Sequence, residues 1–462
     1  MKTLLLALRN LLRNRRRSLT TLIAMIIGAS SILLFGGYSR NITYGLQTGF
    51  VQRSGHLQIQ HKDFFLYGTG NPAAYGIADY QRIIDIVKQD PVLKPMLTVV
   101  TPSLQVSGIA GNFAAGVSRT VVGGGTVIPD QNQMRLWNDY NFPLKPKPLA
   151  LTGTSPETAV IGMGVARVLQ LCGPLNIPNC PQPPKKQDGG DKATPDDIAA
   201  LSALEKTGKP DASDTRIEML AANAHGAPNV AALNVIKAET QGMKEFDDIY
   251  IGLHLTQAQK LIYGSAEPQA TAIALQLQHT AQIPAARARL DQLLATTFKD
   301  QALEIQDFAT LNPMYGQSIG MFAAIFSFIS LLIGAIVLFT VGNTMSMAVV
   351  ERTVEIGTLR AMGLRRGGIR SLFVCEGFLL GVIGAGLGVL ISLLLSTVIN
   401  HSGLTWIPPG YVTPVPLTVH VWGETRLIVG SALGLMVVAV LSALWPANRA
   451  SRMNIVDALR HV

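Results

Sequence analysis

IGMFAAIFSFISLLIGAIVLFTVGNTMSM, the stretch Ile319–Met347, contains no Asp, Glu, Lys, Arg or His. A helix needs roughly 20 predominantly apolar residues to cross the hydrocarbon of a bilayer, so this stretch reads as a membrane span. Three others share its character: Leu19–Ser39, Leu372–Ile399 and Leu427–Trp445. None has an acid, a histidine or a lysine at its centre, which leaves a proton relay no foothold. Between the first span and the second lies one long polar segment, about 41–317. The sequence therefore predicts a membrane α-helical protein with four transmembrane helices and a large domain on one side only.

The formal net charge is +9, and its placement argues against nucleic acid. Lys2, Arg9, Arg13, Arg15, Arg16 and Arg17 precede the first span; Arg352, Arg360, Arg365, Arg366 and Arg370 separate the second from the third; Arg449, Arg452 and Arg460 follow the fourth. The loop between the third and fourth, Asn400–Thr425, has neither Lys nor Arg. This is the positive-inside pattern. It places both termini and the Met347–Ser371 loop in the cytoplasm and residues of about 41–317 outside. A cleaved signal peptide is the alternative for the first span, but its apolar run exceeds the roughly 7–15 residues of an h-region and no small-x-small site follows.

The divisions expected are a cytoplasmic amphipathic helix at 1–17, spans at 18–40, 318–347, 372–399 and 426–446, an extracytoplasmic domain at 41–317, a cytoplasmic segment at 348–371, a short outer loop at 400–425 and a tail at 447–462. In the first helix Leu4, Leu5, Leu8, Leu11 and Leu12 share one face and Arg9, Arg13 and Arg16 another. Such a helix lies in the membrane surface.

The outer segment reads as α+β. Leu57 and Ile59 alternate with Gln58 and Gln60 as in a half-buried strand. Helical spacing appears over Asp79–Gln89 and Ala285–Phe298, and the Thr158–Leu171 run also looks helical. Strands are expected at Leu97–Val106, Thr120–Val122 and Glu304–Phe308, with Gly123–Gly125 ending the second. Thr256 and Gln259 are spaced as a capping box for a helix through Tyr263. The Ala-rich part of an insertion at about 172–240 reads as short helices or an appended subdomain. Cys172 and Cys180 can pair in an oxidising exterior or remain as thiols.

Signatures of catalysis are missing: the sequence has no HExxH, no GxSxG and no phosphate-binding loop. His56 and His61, in or beside a strand, read as structural or surface residues. No cofactor or metal site is predicted in this chain, and no enzymatic activity; work requires a partner that supplies energy.

The most specific local sequence follows the second span: Asn343-Thr-Met-Ser-Met-Ala-Val-Val-Glu-Arg-Thr-Val-Glu-Ile-Gly-Thr-Leu-Arg-Ala-Met-Gly363. Glu351 and Glu355 fall on one helical face, and Gly363 can close the helix in a left-handed cap. From spacing alone this is either a charged helix that fits a groove in another protein or a solvated connector. Two further features are open in the same way. Gly377, Gly381, Gly384 and Gly388 permit close helix approach or reflect ordinary glycine enrichment. Leu34, Phe35 and Tyr38 of the first span, with Phe322, Phe326 and Ile329 of the second, form either a greasy cargo cleft or plain helix packing.

The turn resembles the coupling segment of MacB-type (FtsX-like) ABC transporter permeases. The likeness continues through Phe373-Val-Cys-Glu376-Gly377 to Pro446-Ala-Asn-Arg449-Ala and Asp457-Ala-Leu-Arg460. Gly55-His-Leu-Gln-Ile59, Glu157-Thr-Ala-Val-Ile-Gly162 and Asp248-Ile-Tyr250 with Leu255-Thr-Gln-Ala-Gln259 are similar to the lipoprotein-releasing (Lol) branch. The resemblance implies the type VII ABC permease architecture and a permease dimer, of identical or related chains, bound to two copies of a separate ATPase that holds ATP and Mg. Glu351, Arg352, Glu355, Arg360, Met362 and Gly363 would touch the ATPase. The implied work is ATP-driven extraction or export of lipoprotein or another amphipathic cargo, with a periplasmic carrier or adaptor as a further partner. The alternative is mechanical signalling to a periplasmic partner such as a cell-wall hydrolase.

Overall fold

The computed structural model describes residues 2–13, 15–68, 70–142, 146–178, 180, 215–407 and 414–460. Along the chain, α1 (Lys2–Arg13) and α2 (Arg15–Ser54) come first. Then follow β1 (Leu57–His61), α3 (Tyr80–Gln89), β2 (Leu97–Asn112), β3 (Val117–Thr126), α4 (Ile128–Arg135), β4 (Thr158–Gly162) and α5 (Met163–Val168). After these come β5 (Arg216–Ala222), β6 (Pro228–Glu239), β7 (Tyr250–His254), α6 (Leu255–Tyr263), β8 (Ala272–Leu277), α7 (Ile283–Thr296) and β9 (Leu303–Asp307). The chain ends with α8 (Pro313–Glu351), α9 (Thr353–Ala361), α10 (Arg366–His401), α11 (Thr425–Ser451) and α12 (Ile455–Arg460).

Two compact units result. The first, helical, unit comprises Met1–Gly45, Met314–Trp406 and Val415–Val462. Helices α2, α8, α10 and α11 are each long and apolar enough to cross a membrane. The glycines of α10 set how closely its neighbours approach. A Cβ on Gly377 would collide with Ala443, and one on Gly381 would crowd Met436. Likewise Gly384 faces Met25, and Gly388 faces Ala29. One small-residue pair thus seats α11 and the next seats α2, the close packing that substitutes for a hydrophobic drive inside lipid. Buried Met25, Ala29, Val337, Val341, Phe373, Ala439 and Ala443 form the resulting core.

The second unit, Leu46–Pro313 with Ile407–Pro414, is α+β. Nine strands of the described residues form one sheet in the order β3-β7-β4-β6-β5-β2-β8-β1-β9, and β3 also pairs with β2. That extra pairing closes the first six strands into a ring. Strand β2 serves both parts. Its first half pairs with β8, from Leu97↔Leu277 to Ser103↔Ala272, and its second half pairs with β3, from Ser103↔Thr126 to Asn112↔Val117. Each part has its own core. Leu104, Val106, Ile161, Met219, Ile251 and Leu261 fill the ring. Leu57, Ile59, Ile83, Val100, Leu275 and Leu290 fill the space where α3 and α7 cover β8 and β1.

Several readings of the sequence need correction here. Thr158–Leu171 is not one helix: Thr158–Gly162 is a strand buried along its whole length, followed by the short α5. Gly123–Gly125 do not end a strand but lie inside β3, where a Cβ on Gly123 would strike the carbonyl oxygen of Ile251. Their lack of side chains admits the parallel pairing of β3 with β7. Residues 216–239 form neither short helices nor an appendage; β5 and β6 are members of the main sheet. The remainder of the expected insertion, 179 and 181–214, lies outside the described residues. Helix α6 starts without a capping box, and the Gln259 side chain instead donates to the Tyr80 hydroxyl and the Gln269 carbonyl.

Candidate coupling site

The polar end of the helical unit is built around a break. Helix α8 stops at Glu351; Arg352, with φ −103° and ψ 20°, leaves the helical conformation, and α9 begins at Thr353. The Thr353 hydroxyl donates to the carbonyl of Val350 at 2.8 Å. At the far end Gly363 takes φ +93°. The Leu364 N–H then reaches the Leu359 carbonyl at 3.0 Å, and that of Gly363 reaches the Arg360 carbonyl at 3.0 Å. This is the left-handed closure that glycine permits at low cost.

Three side chains from α1 and α2, Asn10, Arg13 and Arg17, meet this turn. Glu351 and Glu355 lie on either side of the break, Arg13 and Arg17 lie on α1 and α2, and the two pairs face each other. Arg17 donates to both Glu351 oxygens at 2.5 and 2.6 Å, and Arg13 to both Glu355 oxygens at 2.6 and 2.8 Å. Beneath them lies a buried centre. Arg352 donates to Glu376 Oε1 at 2.9 Å and to the Asn10 carbonyl at 3.2 Å, and the Asn10 amide donates to the same Glu376 oxygen at 2.7 Å. The side chains of Arg352 and Glu376 are only 7% and 2% exposed. Burial of two ions costs several kcal/mol each and is offset only by good geometry and further hydrogen bonds. The hydrogen bond from Arg13 to Glu355 raises the guanidinium pKa above its usual value and keeps it charged.

The expected contact residues fall into two groups. Glu351, Arg352 and Glu355 are engaged inside the chain, and Arg360 donates to the Met453 carbonyl. The Arg352 side chain is buried within the chain, whereas those of Glu351 and Glu355 are about half exposed. Met362 (71% exposed) and Gly363 stand at the surface, together with Arg365 and Arg366. Ile356 and Gly357 face inward and Val354 outward, so α9 shows one side to the protein and one to solvent. Reading the sequence missed Asn10, Arg13, Arg17 and Glu376 as partners. Glu376 is a visible signal, being an acid within the third apolar stretch and four residues past its start.

The candidate cleft residues meet as pairs of rings. Phe35 lies parallel to Phe326 with centroids 6.3 Å apart, and Tyr38 meets Phe322 edge-on at 6.3 Å. Leu34 and Ile329 are half-buried on the same two helices. In the α+β unit Cys172 and Cys180 form a disulfide with a Cα separation of 6.2 Å.

The α+β unit has its own polar centre, at His56. The ring is fully buried, lies edge-on to Trp137 at 4.9 Å, and accepts at Nδ1 from the Leu277 N–H at 2.9 Å. Burial lowers its pKa to about 4, against a smaller opposing pull from Asp139. Its backbone ties β8 to the residue that follows β9: the His56 N–H donates to the Leu275 carbonyl and its carbonyl accepts from the Phe308 N–H. Gln276 Nε2 donates to the Met134 carbonyl at 2.9 Å and Trp137 Nε1 to that of Gln278 at 3.0 Å. His56 is thus a structural residue. Among the described residues no group of His, Cys, Asp and Glu is arranged to hold a metal.

Residues 322–455 match the family described as FtsX-like permease C-terminal. The chain is 29% identical over 217 residues to an uncharacterized ABC transporter permease of Methanocaldococcus jannaschii, covering 46% of this chain and 51% of that one. It is 26% identical over 233 residues to the macrolide export ATP-binding/permease protein MacB of Neisseria gonorrhoeae, covering 50% and 33%. With the ABC transporter permease YtrF of Bacillus subtilis the identity is 31% over 144 residues, 29% and 30% of the two chains. The chain spans from about a third to a half of the length of these curated relatives. The match covers α9, its glycine cap, Glu376 and the glycines of α10, the elements from which the candidate coupling site is built; residues 322–455 are an FtsX-like permease domain, and the chain is similar to MacB and other ABC transporter permeases.

Proposed function

We propose that this chain is the permease subunit of an ATP-driven ABC transporter, and that an ABC ATPase, hydrolysing Mg-bound ATP on a separate polypeptide, docks against α9 and the exposed turn after it. The observation that carries this reading is the construction of α9: its inner side is buried, its polar side is tied to α1 and α2, and Met362 to Arg366 face solvent. A helix held this way moves with the helices it is tied to. Two permease copies, identical or related, would bind two ATPases in the bacterial inner membrane, with both termini in the cytoplasm and the α+β unit in the periplasm. The charge asymmetry of the loops supports that orientation. The cargo is a lipoprotein or another amphipathic molecule lifted from the membrane toward a periplasmic carrier, as the Lol-like motifs around His56, Ile161 and Tyr250 suggest; macrolide export, in the name of several relatives, falls within the same chemical class. Reconstitution with the ATPase should show ATP-dependent release of a lipoprotein, and Met362→Asp should reduce ATPase binding. Normal ATPase capture by that variant would contradict the docking surface.

One observation favours a second reading. The rings Phe35 and Phe326, and Tyr38 and Phe322, pack against each other in pairs. A permease with filled spans would instead relay motion alone to a periplasmic partner. Phe326→Ala separates the two: it should disturb cargo release if the rings mark a cargo path, and leave activation of an outer partner intact if they only pack.

A further inference from the structure

Helix α1 has three edges. Ala7 is fully buried and Leu11 half-buried, with Asn10 beside them reaching Glu376. On the next edge Leu4, Leu5, Leu8 and Leu12 are 46%, 72%, 40% and 62% exposed. At 100° per residue Arg9 and Arg13 follow directly on that leucine edge. Two arginines of this region, Arg13 and Arg17, are held by carboxylates of the α8–α9 turn. Arg9, Arg15 and Arg16 are exposed and, among the described residues, have no ion pair. No acid occurs anywhere in residues 1–54.

We propose that α1 is a lipid-reading arm of the coupling turn. Its leucine edge lies in the membrane surface, Arg9, Arg15 and Arg16 bind anionic headgroups, and the contacts of Asn10, Arg13 and Arg17 pass the resulting position to α9. The occupant is an anionic lipid surface rather than another protein, because an exposed leucine row bordered by Arg9, with exposed Arg15 and Arg16 at the start of α2, matches both the apolar and the charged layer of such a membrane. The consequence is regulation: the anionic lipid content of the leaflet fixes where the α9 turn stands. This needs no ATPase, so its test is independent of the function proposed above.

The experiment uses the full chain in nanodiscs, with Cys375→Ser and a single environment-sensitive fluorophore at Leu8→Cys or at Met362→Cys. Brominated phosphatidylcholine, with or without phosphatidylglycerol, is the probe. The Leu8 label should be quenched more strongly when phosphatidylglycerol is present. Each of Arg9→Gln, Arg15→Gln and Arg16→Gln should lower the docked-to-free ratio by about fivefold, the equivalent of roughly 1 kcal/mol per cation. The Met362 label should change its emission on addition of phosphatidylglycerol, and the triple variant should lose that change. An unquenched Leu8 label, quenching indifferent to phosphatidylglycerol or to the three arginines, or a Met362 label that ignores the lipid would each overturn the proposal.

Discussion

The polar centres of the two units solve one problem in opposite ways. In the helical unit Arg352 and Glu376 are buried as ions and held by each other, by Asn10 and by nothing more among the described residues; the Nε of Arg352 is buried without a partner. In the α+β unit His56 is buried neutral among amides, carbonyls, an indole and the Thr280 hydroxyl, and the Asp139 carboxylate pulls on it only weakly. There too one atom, Gln276 Oε1, is buried without a partner among the described residues, at the smaller cost of a neutral group. A charged network is strong only while every partner stays in place.

The largest effect tests the charged side. Glu376→Ala leaves a buried, unpaired guanidinium and should lower stability by about 3–5 kcal/mol, read as thermal unfolding in detergent. Glu376→Leu combined with Arg352→Met should recover most of that loss, since apolar replacement of a buried pair is often neutral or better. If the double variant is as unstable as the single, the pair is not an isolated buried ion pair and the contrast fails.

Acidification tests the neutral side. The folded pKa of His56, about 4, lies below its ordinary 6.5. Above pH 6.5 neither state binds a proton and the histidine contributes no pH dependence. As pH falls from 6.5 toward 4 the unfolded state gains a proton that the fold refuses, and up to about 3 kcal/mol is lost. Hydrogen exchange at the Leu277 amide should rise across that window, and His56→Gln should remove the slope.

Asp90 is the informative exception within the α+β unit, a buried carboxylate that accepts from the Val92 and Leu93 N–H groups at 3.0 Å and from Arg289 at 2.8 Å. Arg289 foremost, with the two backbone donors, lowers its pKa. Asp90→Asn should cost about 1–3 kcal/mol, and the wild-type contribution should disappear only as pH falls below its ordinary carboxylate value. A measurable loss already at neutral pH in the wild type would break this assignment. The smallest effect belongs to Glu355→Gln: its partner Arg13 is half exposed, so stability should change by less than about 1 kcal/mol. Under the proposed function it should nevertheless weaken ATPase stimulation, and a loss of stability without loss of stimulation would reverse that ranking.

Legibility in the sequence followed the strength of the local pattern. The four apolar stretches could be read because length and lack of charge determine them. Ile83, Ile84 and Val87 give a helical period, and Leu57 and Ile59 a period of two; both elements are where that periodicity puts them. Thr158–Gly162 misled because a central strand buried on both faces has no alternation and is indistinguishable from a buried helix. In β5, Ile217, Met219 and Ala221 do alternate inward, but the Ala-rich surroundings hid the signal. For the site, Glu351 and Glu355 could be placed on one face by spacing. Their partners, Arg13 and Arg17, are more than three hundred residues away in sequence, and no local pattern reports such a pairing.

The double membership of β2 has a consequence for how the α+β unit melts. One strand supplies Leu104 and Val106 to one interior and Val100 to the other, so neither interior can come apart while its neighbour stays whole. Heat or denaturant should therefore melt the two interiors in a single step, as a plank common to two floors brings both down.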